Sequence, residues 1–219
     1  MRHDPQDIAI AGGFLLFAIL TTLIAIGPDL SGRATTGTQV QIVNSTPTDC
    51  TVTGAAGHNV VSIPCITDAE PRASVIDDTD LWAMYQYTPT TSDAWRAHNP
   101  NLPSWVVSDL EYLSRRVGYV LVLNASRTYQ VSGILASSTS IPIIAGWSLV
   151  GYPAVNATNI TQGIDGVNDT VTVVRAYYPA DDGYRAYYPA AQTGNLTNLT
   201  PGLGYWMNGT GSDTWTVTP

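Results

Sequence analysis

The sequence predicts a mainly β fold with short helical insertions, arranged as two similar β-rich units after one N-terminal transmembrane helix. Three observations carry this expectation. An apolar run without charge lies near the N-terminus, a set of sequence blocks recurs in the same order, and those blocks alternate with period two between Gly and Pro punctuation.

Ile8 to Ile26 contain no charged residue across 19 positions. At 1.5 Å per residue such a helix approaches the ~30 Å hydrocarbon thickness of a bilayer. Thr21 and Thr22 can bond back to helix carbonyls and so do not spoil the span. Residues 1–30 are therefore expected to form a membrane anchor, with residues 8–26 as its contact with lipid. A cleaved signal peptide is the alternative, but Pro28 disfavours a cut after Gly27, and Met1–Asp7 has one Arg against two Asp. A buried core helix would show a polar face, and this run has none. Residues 31–49 read as a linker.

Cys50 and Cys65 are the only cysteines, and the fourteen residues between them read as strand, Gly-containing turn, strand. A hairpin centred near Ala56-Gly57 would bring the two sulfurs together as a disulfide, which requires an oxidising compartment. Two free thiols are the alternative.

Ala56–Pro64 (AGHNVVSIP) matches Ala145–Pro153 (AGWSLVGYP) 89 positions later, and Trp95–Pro100 matches Tyr184–Pro189 at the same offset. Asp109–Leu113, Gly118-Tyr119 and Thr128–Val131 match Asn195–Leu199, Gly204-Tyr205 and Thr214–Val217, each 86 positions on. Blocks in one order at nearly constant offset imply two copies of one unit, residues 50–133 and 138–219. Trp147, Leu149 and Gly151 alternate with Ser148, Val150 and Tyr152, which marks a strand that Pro153 ends. Trp147 is expected in the second core together with Pro153, Gly204, Tyr205 and Trp206. The counterpart of Trp147 is His58, so the first core is expected to be looser there. Ala69–Asp77 and Asn156–Asp165 fit short helices before strands.

These blocks carry a resemblance. AGWSLVGYP, the aromatic strands VVRAYYP and YRAYYP, then LTNLTPGLGYW and TWTV resemble a repeat module of archaeal and bacterial cell-surface proteins, of the AGWNLVGYP … LTxLxPGxGYW type. The second copy fits well. The first is degenerate, with His58 in place of Trp and Arg115-Arg116-Val117 in place of Pro-Gly-Leu. The resemblance implies a surface-associated, non-catalytic role in layer or adhesion proteins.

Composition narrows function further. Charged residues are 12% of the chain, the nine basic residues are all Arg, and the net charge is −8. Nucleic acid binding, which needs clustered positive charge, is not expected. Eight of the eleven Asn stand in Asn-X-Ser/Thr: Asn44, Asn124, Asn156, Asn159, Asn168, Asn195, Asn198 and Asn208. With Ser and Thr at about a fifth of positions, chance predicts roughly two, so N-glycosylation is expected. No HExxH, CxxC, GxSxG or phosphate-loop pattern occurs, and neither enzyme chemistry nor a cofactor or metal centre is expected. His3, His58 and His98 are dispersed. Asp77-Asp78-Thr79-Asp80 and Asp165–Asp169 offer clustered oxygens but read as turns first. Tyr177, Tyr178, Tyr184, Tyr187 and Tyr188 suggest sugar stacking, against cross-strand packing as the plainer reading. The sum is a membrane-anchored, N-glycosylated structural or adhesive envelope protein with its bulk outside the cell, open to self-assembly or other envelope proteins. A carbohydrate-binding module is one alternative. The other is an extracellular filament subunit with its apolar helix in the fibre core.

Overall fold

Val, Thr and Tyr dominate the alternating segments, and such side chains fit a pleated, half-buried surface. The structure, a computed structural model, describes residues 47–219 except Ser104 and Val107. It is mainly β, built from antiparallel sheets. The apolar run 8–26, the anchor 1–30, Asn44 and most of the linker lie outside the described residues. Among the described residues, no helix is long and apolar enough to cross a membrane.

The first half runs β1 (Pro47–Gly54), β2 (Gly57–Val61), β3 (Glu70–Pro71), α1 (Arg72–Val75), β4 (Leu81–Tyr87), β5 (Trp95–His98), β6 (Tyr112–Leu113), β7 (Tyr119–Leu123) and β8 (Arg127–Ile134). The second runs β9 (Thr139–Ile143), β10 (Gly146–Val150), β11 (Thr158–Asn159), α2 (Ile160–Gly163), β12 (Val171–Tyr178), β13 (Gly183–Tyr188), β14 (Thr193–Gly194), β15 (Asn198–Leu199), β16 (Tyr205–Gly209) and β17 (Asp213–Val217). β1 begins inside the stretch expected as linker.

Both halves share one topology. The sheet β2-β7-β4-β5 corresponds to β10-β16-β12-β13, which β14 extends, and the ribbons β1-β8 and β3-β6 correspond to β9-β17 and β11-β15. Register repeats as well: Val61 faces Tyr119 as Val150 faces Tyr205. The bulge between Leu81 and Ala83 recurs between Val171 and Val173. Gly57 and Gly146 open equivalent strands with φ near +90° (91° and 88°), a conformation costly for any residue with a Cβ.

Each half buries its own core between the large sheet and its two-stranded ribbon. The first gathers Val52, Ile63, Met84, Tyr119, Leu121 and Tyr129, the second Ile141, Val150, Tyr152, Tyr205, Met207 and Trp215. Ser114 N donates to Tyr119 Oη at 2.7 Å, and Thr200 N donates to Tyr205 Oη at 2.6 Å, so an equivalent phenol ties the same turn in each half. Burial raises the pKa of both phenols above the ordinary tyrosine value.

The halves meet through reciprocal backbone bonds. Gly118 N donates to Leu149 O at 3.2 Å, and Gly204 N donates to Val60 O at 3.0 Å. Gly151 N reaches Arg116 O and Ser62 N reaches Gly202 O, both at 2.9 Å. Each pair swaps equivalent residues, which is the signature of a two-fold relation between self-complementary faces. A Cβ on Gly204 would stand 2.8 Å from Val61 O and 3.2 Å from the Gly118 Cα, so both glycines are needed for this approach.

Two expectations are corrected. β1 pairs with β8 and β2 with β7, so the cysteines do not flank a hairpin; Cys50 and Cys65 nevertheless form a disulfide, with Cα atoms 5.9 Å apart, from the ribbon to the segment after β2. Trp147 and Trp206 are half-buried on the outer sheet face, whereas Pro153, Gly204 and Tyr205 are buried. The inner row is Ser148, Val150 and Tyr152. Ser148 misled the reading because it takes the place of Asn59, a buried amide bonded to backbone at Ala55, Gly57 and Leu121. His58 is exposed, so it leaves no gap in the first core.

Candidate functional site

Directly opposed residues of antiparallel strands share a sheet face, as do residues two apart on one strand. These rules place Trp147, Trp206, Asn208 and Arg175 together: Trp147 opposes Asn208, and Trp206 opposes Arg175. The rings of Trp147 and Trp206 meet edge to face with centroids 6.3 Å apart. The Arg175 guanidinium lies 5.2 Å from the Trp147 ring centre, a cation–π contact. Trp147, Arg175, Tyr184 and Trp206 line an open cleft of about 290 Å³.

From Trp206 the aromatic surface continues into the first half. Tyr87 stands 5.4 Å and Trp95 6.2 Å from Trp206, and Tyr85 stands 6.4 Å from Trp95. Trp95 is 44% and Tyr184 53% exposed, so the belt reaches solvent at both ends. Among the described arginines, Arg72, Arg115, Arg116, Arg127 and Arg185 pair with aspartates, while Arg96 and Arg175 do not, and Arg175 has its ring contact. The cleft can therefore offer flat apolar faces beside one cation with free donors.

The five tyrosines singled out in the sequence do not act as one surface. Tyr187 belongs to the second core, Tyr178 lies under Arg185 with 4.1 Å to the ring centre, and Tyr188 is exposed. Tyr177 packs on Tyr184 at 5.2 Å, and its hydroxyl donates to Asp182, which raises the phenol pKa. Trp82, Tyr85, Tyr87 and Trp95 were missed as surface rings. Trp82 and Tyr85 stand three residues apart because the bulge between Leu81 and Ala83 breaks the period of two, which hides this row from a pattern reading.

Of the sequon asparagines, Asn124, Asn156, Asn159, Asn168, Asn195 and Asn198 are exposed and Asn208 is half-buried. Asn159 caps α2 by accepting from Thr161 N, and Asn195 accepts from Ala186 N at 2.8 Å, as Asp109 does from Ala97 N. The Asp77–Asp80 run faces basic side chains of its own chain. Arg127 bonds Asp77 at 2.7 Å and Asp80 at 3.3 Å, while Arg72 and His98 both reach Asp78 at 2.9 Å. Burial opposes ionisation of Asp77, but hydrogen bonds from Thr79 and Arg127 outweigh it and hold its carboxyl below the usual range.

No protein family matches the chain, and no curated protein or solved structure shows significant similarity to it.

Proposed function

We propose that this chain is an extracellular structural or adhesive protein of the cell envelope. In this reading residues 8–26 anchor it in the membrane, and the head is a duplicated, N-glycosylated, non-catalytic β unit of the surface-protein repeat type. The observation that supports it most is the Cys50–Cys65 disulfide, since such bonds persist where the environment is oxidising. The exposure of Asn124, Asn156, Asn159, Asn168, Asn195 and Asn198 is consistent with it, because a sugar chain needs solvent. The test is isolation of the full chain from its native host. Recovery in the membrane fraction, cleavage of the head by protease added to intact cells, and a disulfide in non-reducing peptide maps are expected. A soluble, protease-protected chain with two alkylatable thiols would sink the proposal.

A second reading, a carbohydrate-binding module, is favoured by the aromatic belt and the Arg175 cleft. Its test is binding of the unglycosylated head to a glycan array, with Trp95→Ala as the expected loss-of-binding variant.

A further inference from the structure

We infer that Asn208 is a glycosylated site whose first sugars lie in the Trp147–Trp206–Arg175 cleft, making that cleft the seat of the protein's own glycan. The inference rests on the extracellular reading above. It selects one sequon of eight and gives the two half-buried rings on the outer sheet face an occupant.

Four observations converge on it. Asn208 opposes Trp147 across the β10–β16 pair and shares its face with Trp206, two residues earlier. At ~3.4 Å rise per residue, a sugar on Asn208 begins about 7 Å along the strand from the Trp206 Cα, within reach of a single pyranose ring. Among the eight sequons, Asn208 alone has an aromatic residue two positions before it; the others have Ile42, Val122, Ala154, Ala157, Gly166, Thr193 and Leu196 there. Thr172 Oγ1 donates to Asn208 Oδ1 at 3.1 Å, which turns Nδ2, the atom that accepts sugar, away from that bond. Among the described residues Nδ2 has no hydrogen-bond partner. Finally, the first half supplies an internal control: Val122 stands in place of Asn208, and there both tryptophans are also replaced, by His58 and Val120.

The chemistry suits a saccharide. Indole rings offer apolar faces with negative π density to the C–H face of a pyranose, and Arg175 offers donors to its hydroxyls or to a carboxylate. In the attachment step Asn208 Nδ2 bonds to the anomeric carbon of an activated glycosyl-phosphate donor. The C1–O bond breaks, the phosphate leaves with its electron pair, and one amide proton is lost. Once attached, the sugar is held at high effective concentration over the rings, so even weak stacking keeps it seated.

The experiment uses the full chain purified from its native host. Site-resolved glycopeptide mass spectrometry is expected to find sugar on Asn208. Asn208→Gln should lower the thermal midpoint of the glycosylated protein by about 2–4 °C. The same substitution should have little effect in a Trp206→Leu background, or in protein made without glycosylation. Should Trp206→Leu fail to fold, tryptophan emission of the wild type before and after enzymatic release of glycans replaces it, with a red shift on release expected. A bare Asn208 beside occupied Asn124 or Asn156 overturns the inference and leaves the extracellular reading standing. Sugar on Asn208 with no coupling to Trp206 and no emission change overturns the seating. No sugar on any sequon would remove the glycoprotein reading itself.

Discussion

Trp215, not Trp147, is the tryptophan that the second core depends on. Only 1% of it is exposed, its ring stacks on Tyr152 with centroids 6.3 Å apart, and its Nε1 donates to Gly163 O at 2.7 Å. Trp215→Ala should cost about 3–5 kcal/mol in denaturant unfolding, as expected for emptying a large buried site. Trp147→Ala, which loses a ring contact and a cation–π contact at the surface, should cost about 1 kcal/mol. Equal losses would show that the faces are misassigned. Asp77 gives a second single-residue test. Its folded pKa lies below the unfolded value, so the stability it contributes is present above pH ~4 and is lost as pH falls through the folded pKa. Asp77→Asn should therefore lower the thermal midpoint at pH 7, and the gap from wild type should close on acidification towards pH 3. A gap that stays constant with pH would show that the Arg127 contact contributes nothing through charge.

At the scale of elements, much of the strand pattern was legible and the pairing was not. The repeated blocks located β2, β7 and β8 and their counterparts, and both short helices fall where Ala69–Asp77 and Asn156–Asp165 suggested. Which strand pairs with which was hidden, because β1 and β2 are adjacent in sequence yet join different sheets, β1 with β8 about 80 residues later. Period two also leaves the inward row ambiguous when both rows are apolar, as in β10, where a buried serine alternates with Trp147 on the outer face and with Leu149, itself buried at the seam. The disulfide was legible as a pair but not as a link from the ribbon to the segment after β2. That link now defines its role: it fixes β1 over the first core. Replacing both cysteines by serine should cost roughly 3 kcal/mol for a loop closed at a separation of 15 residues. Its largest effect should be earlier amide exchange in β1 and β8. Uniform exchange change across both halves would contradict that local role.

The described residues form one compact unit in which both cores share a backbone seam. Heat or denaturant should accordingly unfold the head in a single transition, with calorimetric and van't Hoff enthalpies equal. Gly204→Ala, which pushes a Cβ against Val61 O and the opposing glycine, should lower that whole transition by about 1–3 kcal/mol. Two separated transitions would mean that the seam couples little. A two-fold seam inside one chain has a further consequence for what each half is free to become. In a true homodimer every substitution appears twice, so a cluster of outward tryptophans would form on both subunits or on neither. Joining the copies covalently replaces concentration-dependent pairing by a permanent neighbour and frees each copy to change without its twin. Trp147 and Trp206 against His58 and Val120 record that freedom: the second half carries tryptophans at these two positions, while the first keeps the same scaffold with other residues there. Symmetry here holds the protein together, and its breaking is where a specialised surface arises.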